Sequence, residues 1–127
     1  MAFPPATDSH KESMKVLPYK AQGMTATECY NALNSNFFKG KLPPLRVYWN
    51  WKRSSLGATA FDRESKRPLF ITLNPHYRYL DRIWLPTLLH EMVHVEQWRL
   101  PIKDKHGVKF ISRMRKLARD GAFDSLW

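Results

Sequence analysis

Residues 84–98 read Trp84-Leu85-Pro86-Thr87-Leu88-Leu89-His90-Glu91-Met92-Val93-His94-Val95-Glu96-Gln97-Trp98. Two histidines four residues apart project from one face of a helix, one turn apart, so both imidazoles can reach a single metal ion. Apolar residues cover most of the circumference of this segment, which predicts a central helix buried between other layers. Because proline lacks an N–H and clashes with the preceding turn, we expect the helix to begin between Arg82 and Pro86.

The polar residues of this helix form a candidate catalytic site. Glu91 lies at the edge of the histidine face, where its carboxylate can serve as general base towards a water molecule. A hydrolytic zinc site has three protein ligands and one open position, so His90 and His94 need a third partner. Spacing favours His106, which follows a turn region beyond the helix. Three other residues remain alternatives for the third ligand: Glu96, Asp104 and His76. A competing interpretation treats the histidines as hydrogen-bonded structural side chains.

The flanking segments predict the rest of the fold. Thr25 and Glu28 have the spacing of a capping box at a helix start. Periodicity predicts a helix over 26–38, a strand from Leu45, strands over 56–61 and 68–73, and a helix over 107–119. The polar stretch 62–67 suits a hairpin connection. We therefore expect an α+β domain in which a small, mostly antiparallel three-stranded sheet packs on the buried motif helix, with an N-terminal and a C-terminal helix beside it.

Length and composition bound the class of protein. A chain of 127 residues suits one domain, and we expect a flexible N-terminal arm over 1–23 followed by the domain over 24–127. The sequence shows no secretory signal and no apolar run of membrane-spanning length, so we expect an intracellular protein with no membrane association. The single cysteine, Cys29, excludes an internal disulfide and an all-cysteine zinc ribbon within this chain, and we expect it to be a buried helix residue.

The chain is strongly basic. Lysine and arginine total 21 against 11 acidic residues, a formal net charge of +10, which creates a field that attracts nucleic acid. Candidate phosphate contacts are the basic residues expected on the solvent face of the last helix and in two loops: Lys109, Arg113, Arg115, Lys116, Arg119, Lys52, Arg53, Arg63, Lys66 and Arg67. Solvated faces without a partner are the alternative for each of them.

Further residues are candidates for a substrate cleft. Gly57 and Ala58 are small enough to let a substrate backbone pair beside them, although ordinary hairpin packing explains them equally well. Trp98 follows His94 by four residues and is expected to line the cleft. The strand alternation assigns Trp49 and Trp51 to core or pocket walls rather than to base stacking. The residues before the motif helix that could stabilise an oxyanion are His76, Tyr77 and Tyr79.

Several short stretches of the sequence resemble the SprT-like metallopeptidases, the group that includes the Spartan proteases acting on DNA–protein crosslinks. The resemblance covers about 25–119. It is carried by residues 34–43 (Asn-Ser-Asn-Phe-Phe-Lys-Gly-Lys-Leu-Pro), Leu56-Gly57-Ala58, Ile71-Thr72-Leu73-Asn74, the motif helix and His106-Gly107-Val108-Lys109-Phe110. It implies a zincin-like fold, one Zn²⁺ ion on His90, His94 and His106, and a catalytic role for Glu91. Many family members carry a cysteine zinc ribbon or longer tails, so here we expect DNA recruitment through the domain's own basic surface.

The predicted function follows from the site and the resemblance. We expect a monomeric zinc-dependent endopeptidase that hydrolyses peptide bonds, with DNA-bound or DNA-crosslinked proteins as a substrate class. The alternative is a DNA-binding or partner-binding module in which zinc is structural and there is little or no catalysis. A third hypothesis is a protease with no DNA requirement.

Overall fold

Three helices and three strands make up the part of the chain that the computed structural model describes, residues 24–50 and 55–124. In chain order they are α1 (Ala26–Phe37), β1 (Arg46–Trp49), β2 (Gly57–Phe61), β3 (Pro68–Leu73), the 3₁₀ turn Pro75–Tyr77, α2 (Asp81–Glu96) and α3 (Val108–Arg119). The predicted α+β class is confirmed. Within these two ranges, no helix combines the length and the apolar character that crossing a membrane requires. The expected arm over 1–23 and the residues Trp51, Lys52 and Arg53 lie outside the described ranges.

The sheet is mixed, with the strand order β1-β3-β2. β3 pairs antiparallel with β2, as the predicted hairpin requires, but parallel with β1, where Val47 stands opposite Ile71. One of the two pairings therefore departs from the mostly antiparallel sheet that we expected. The physical reason is that β3, the most buried strand, takes the central position and separates the two strands that precede it in the chain. Alternation identifies strands, but it does not identify their neighbours.

The motif helix α2 is the centre of the core, as predicted. It packs on β2 and β3, while α3 packs against α2 and α1 packs against β1. Leu88 and Met92 are fully buried, and so is Ile71 on the facing strand. Full burial of such a side chain stabilises a fold by about 1.5–3 kcal/mol. Apolar side chains therefore surround the helix on most sides, and its polar residues can only occupy the remaining narrow face.

The start of α2 differs from the prediction. The helix begins at Asp81, and Pro86 lies inside it. The first turn is already closed before the proline, because the Trp84 N–H donates to the Leu80 carbonyl oxygen at 3.1 Å. Pro86 therefore costs a single hydrogen bond near the helix start. Burial of the neighbouring Trp84 and Leu85, at 4% and 3% exposure, offsets that cost.

Helix α1 covers one edge of the sheet. Its predicted capping box is confirmed, since Thr25 and Glu28 exchange hydrogen bonds of 2.9 and 3.1 Å. Two residues into α1, the Thr27 hydroxyl accepts a hydrogen bond from the Val47 N–H at 2.9 Å and donates one to the Val47 carbonyl oxygen at 3.4 Å. The outer edge of β1 is thereby paired with a side chain. β2, at the other end of the strand order, is the open edge of the described sheet.

Candidate metal centre

Three histidine side chains converge on one point. His90 and His94 project from α2, and His106 precedes α3 by two residues. Their Nε2 atoms are separated by 3.1 Å (His90–His106), 3.2 Å (His90–His94) and 3.1 Å (His94–His106). A neutral imidazole has a single N–H, so hydrogen bonds do not explain three mutual contacts. Tetrahedral zinc with Zn–N distances of about 2.05 Å places its ligand nitrogens about 3.3 Å apart. The donor set therefore fits a zinc ion.

A tight turn brings His106 back to the helix. The His106 N–H donates to Oδ1 of Asp104 at 3.0 Å, and the Gly107 N–H donates to the Asp104 carbonyl oxygen at 3.1 Å. A Cβ atom at Gly107 would lie 3.2 Å from that carbonyl oxygen, so glycine suits this close approach. Asp104, which the sequence left as an alternative ligand, instead shapes the turn that presents His106.

The other alternative ligands also have different surroundings. Glu96 forms an ion pair with Arg113 at 2.7 Å, and the His76 ring packs edge-on against Tyr77 with a centroid distance of 4.9 Å. Within residues 24–50 and 55–124, the group that could hold a metal ion consists of His90, His94 and His106. Of the four residues that sequence spacing left open, His106 is the one that belongs to this group.

Phe110 packs against all three imidazoles. Its ring centroid lies 4.7 Å from that of His90, 4.9 Å from His94 and 5.1 Å from His106, and its plane is stacked on His94 at 25°. The sequence analysis named Phe110 only within the stretch that resembles the family and missed this contact. The available signal was its position four residues after His106. Because rigid rings in contact restrict one another, Phe110 limits the orientations that the three imidazoles can adopt.

The carboxylate of Glu91 is buried beside the histidines. The residue is 7% exposed, and Oε1 accepts a hydrogen bond from the Thr59 hydroxyl of β2 at 2.7 Å. Burial raises the pKa of Glu91, while the Thr59 hydrogen bond and the nearby His106 oppose that rise without cancelling it. A base with a pKa closer to neutrality is better matched to proton transfer at physiological pH. Thr59 was also missed by sequence reasoning, since 32 residues separate it from Glu91.

The two helix histidines are kept neutral by their surroundings. Burial lowers the pKa of His94 to about 4, with smaller contributions from His90, His106 and Lys105. Burial, followed by the charge of His106, also lowers the pKa of His90. Because a metal ion binds the unprotonated ring nitrogen, such a site is ready to take up a metal at neutral pH.

The candidate cleft residues have different environments. Gly57 serves close packing between β2 and α2, since a Cβ atom there would lie 2.8 Å from Thr87 Cγ2. Ala58 lies on β2 and pairs with Thr72. Trp98 is half-buried, with the Arg99 guanidinium 5.0 Å above its ring. The half-buried Trp49 contacts Trp84 edge-on at 5.3 Å, which suits the predicted wall role.

Two other expectations concern single residues. Tyr79, a candidate for oxyanion stabilisation, is 83% exposed. Cys29 is buried in α1, as expected.

Arg113 is the basic candidate whose expected position is wrong. It was assigned to the solvent face of the last helix, yet its side chain is 15% exposed. Its guanidinium bonds Glu96 at 2.7 Å and the Phe37 carbonyl oxygen at 2.9 Å, and it lies 4.8 Å from the centre of the Phe38 ring. A long side chain at the edge of the basic stripe can reach inward, which periodicity does not reveal. Among the basic candidates that the structure describes, the exposed ones are Lys109, Arg115, Lys116, Arg119, Arg63, Lys66 and Arg67.

Two imidazoles of a His-Glu-x-x-His helix converge with that of His106, and a buried glutamate lies beside them. This arrangement is typical of the metal sites of zinc metallopeptidases. The chain belongs to the SprT-like family, because the model of that family matches residues 26–124. Members of this family are generally zinc metallopeptidases. A comparison with curated proteins gives no match, and neither does a comparison with solved structures.

Proposed function

We propose that this chain is a zinc-dependent endopeptidase in which Glu91 is the general base. The observation that carries the proposal is the buried carboxylate of Glu91 on the same helix as two of three convergent imidazoles. When bound, zinc lowers the pKa of a water molecule to about 7 and polarises a peptide carbonyl. Glu91 accepts the proton of the attacking water and delivers it to the leaving amine nitrogen. His90, His94 and His106 would hold the ion.

The open edge of β2 supports a peptide substrate. An exposed strand edge binds an extended chain by adding it as a further strand, with main-chain hydrogen bonds that do not depend on sequence. The same strand carries Thr59, which contacts Glu91, so a peptide added to β2 would lie close to the base. An edge that runs alongside the site accepts the middle of a chain as well as its end, which supports an endopeptidase.

The number of convergent ligands supports catalysis over a structural zinc. Structural zinc sites are usually closed by four protein ligands, whereas catalytic sites keep one position open. The group in the described ranges has three members, His90, His94 and His106. This arrangement favours the enzyme over the binding module with a structural ion.

The charge of the chain supports DNA-bound proteins as a substrate class. A formal net charge of +10 draws the domain towards polyanions, and the exposed Lys109, Lys116 and Arg63 are candidates for phosphate contacts. Proteins held on DNA would then meet the site at a raised local concentration. This part of the proposal is independent of the hydrolytic chemistry.

The test compares the wild type with Glu91→Gln in cleavage of a DNA-binding protein, with and without single- and double-stranded DNA. The variant should keep its zinc and lose about 10²-fold or more of its activity, because an amide cannot accept the proton. Glu64→Gln, in the exposed β2–β3 hairpin, is the matched control and should behave as wild type. Undiminished cleavage by Glu91→Gln would exclude the mechanism. Cleavage that DNA does not stimulate would exclude DNA-bound proteins as the substrate class, and the proposed endopeptidase activity would stand.

A further inference from the structure

We propose that Thr59 is a positioning residue that holds the Glu91 carboxylate in the orientation needed for proton transfer. The inference rests on the proposed function, because it assigns Thr59 a part in the same reaction. The Thr59 hydroxyl donates to Oε1 of Glu91 at 2.7 Å and occupies one of the two carboxylate oxygens. The other oxygen, Oε2, remains to accept the proton of the attacking water.

The donor is well placed for this role because strand pairing and its branched side chain define the direction of its hydroxyl. Thr59 stands opposite Ile71 in the antiparallel pairing of β2 with β3, and Ile71 is fully buried. Paired residues share a face of the sheet, so Thr59 projects from the face that α2 covers. A β-branched side chain also has few allowed χ1 rotamers. The sheet therefore directs the Thr59 side chain towards the helix that it contacts.

The acceptor, by contrast, needs external support. A glutamate side chain has three rotatable bonds, and the helix backbone alone does not determine where its carboxylate lies. Glu91 is 7% exposed, so few water molecules can solvate the carboxylate if it rotates away from Thr59. A hydrogen bond to a charged acceptor is short and strong, and the 2.7 Å separation has the length of such a bond. Misplacement of a catalytic group by about 1 Å can cost about 10²-fold in rate.

The experiment measures kcat, KM and bound zinc for three threonine variants. Thr59→Val keeps the shape and removes the donor, and kcat should fall about tenfold or more while KM stays within about twofold. Thr59→Ser keeps the hydroxyl and should restore most of the wild-type kcat. Thr72→Val is the matched control, because Thr72 lies in the neighbouring strand and its hydroxyl donates to the Ala58 carbonyl oxygen at 3.5 Å. Thr72 follows Ile71 in β3, so it projects from the opposite face of the sheet to Ile71 and Thr59. All three variants should keep their zinc.

Several outcomes would overturn the inference. They are an unchanged kcat in Thr59→Val, a loss that Thr59→Ser does not restore, an equal loss in Thr72→Val, and loss of zinc from Thr59→Val. Each would show that the hydroxyl does not act through the base.

A second measurement does not depend on activity and separates this inference from the proposed function. In the zinc-free protein, Thr59→Val should lower the unfolding midpoint by about 3 °C or more, and the same change should have little effect when Glu91→Ala is already present. Equal shifts in both backgrounds would overturn the contact. If the wild type binds zinc and cleaves no protein although this coupling is present, the proposed function fails and the catalytic part of the inference fails with it.

Discussion

Replacement of Arg113 by alanine should destabilise this domain far more than replacement of an ordinary surface cation. The guanidinium connects α3, which carries it, to the ends of α1 and α2. It pairs with Glu96 of α2, donates to the Phe37 carbonyl oxygen of α1 and packs over the ring of Phe38, which follows α1. Hydrogen bonds to charged groups contribute about 1.5–3 kcal/mol, and a partly desolvated cation–π contact contributes about 1 kcal/mol. Glu96 is 33% exposed, so its part is discounted for solvent screening. The expected loss of unfolding free energy is about 2–4 kcal/mol.

Lys116→Ala provides the matched control on the same helix. Lys116 also forms an ion pair, at 3.1 Å with Asp120, but the two side chains are 57% and 42% exposed. An exposed pair at this spacing contributes about 0.3–0.5 kcal/mol. Urea unfolding with a common m-value measures both losses. Arg113→Lys should recover less than half of the stability, because an ammonium lacks the planar fork of donors. Equal and small losses for Arg113→Ala and Lys116→Ala would refute this reasoning.

The same variant also tests whether Arg113 contacts phosphate. α3 carries Phe110 and follows His106, so loosening its attachment should weaken zinc binding. If DNA binds through the exposed face of α3, Lys109→Ala should reduce the affinity for DNA and the salt dependence of that affinity. The affinity for zinc should stay unchanged. Arg113→Ala should show the reverse pattern under conditions in which it remains folded. A direct phosphate role would instead appear as a loss of DNA affinity with no loss of stability.

Three further predictions concern packing, metal affinity and pH. Gly57→Ala should lower the free energy of unfolding in urea by about 1–3 kcal/mol, because the new Cβ would lie 2.8 Å from Thr87 Cγ2. Adding Thr87→Ser should recover part of this loss. Unchanged stability of Gly57→Ala would contradict the prediction. Phe110→Ala should weaken zinc binding, measured in competition with a chromophoric chelator, because it removes the ring that packs against the three imidazoles. Phe110→Leu fills more of the space and should weaken zinc binding less. Equal zinc affinities of the wild type and both variants would exclude a restraint by Phe110. Burial raises the pKa of Cys29 from 9.0 to about 12, so the folded protein keeps a proton that the unfolded chain loses. Stability should therefore be full below about pH 9 and fall by about 1.4 kcal/mol per pH unit towards pH 12, and Cys29→Ala should remove this part of the slope in urea unfolding series.

Local patterns accounted for the elements and for two of the three histidines that could hold a metal ion. The capping box of Thr25 and Glu28, the alternation of β1 and the spacing of His90 and His94 involve residues within one or two turns or a few strand positions. Backbone geometry converts such spacings directly into faces and directions. The resemblance to a known family favoured His106 as the third candidate ligand, which spacing alone had left among four residues.

Other features depended on contacts between distant residues. The parallel pairing of β1 with β3 depends on which strand takes the centre of the sheet, and Pro86 is tolerated because its neighbours are buried. Arg113 reaches a carbonyl oxygen 76 residues away, so its periodicity indicated a solvent face that it does not occupy. No periodic pattern encodes a contact at such a separation.

For this protein the sequence by itself determined the helix that carries His90, Glu91 and His94, because their positions relative to one another are a property of one turn of helix. Only the tertiary structure decided what surrounds them. The turn at Asp104 returns His106 to the helix, and Phe110 packs against the three rings. Thr59, 32 residues before Glu91 in the sequence, donates a hydrogen bond to its carboxylate. A metal site needs ligands around a point in space, and one face of a helix supplies only one side of that point.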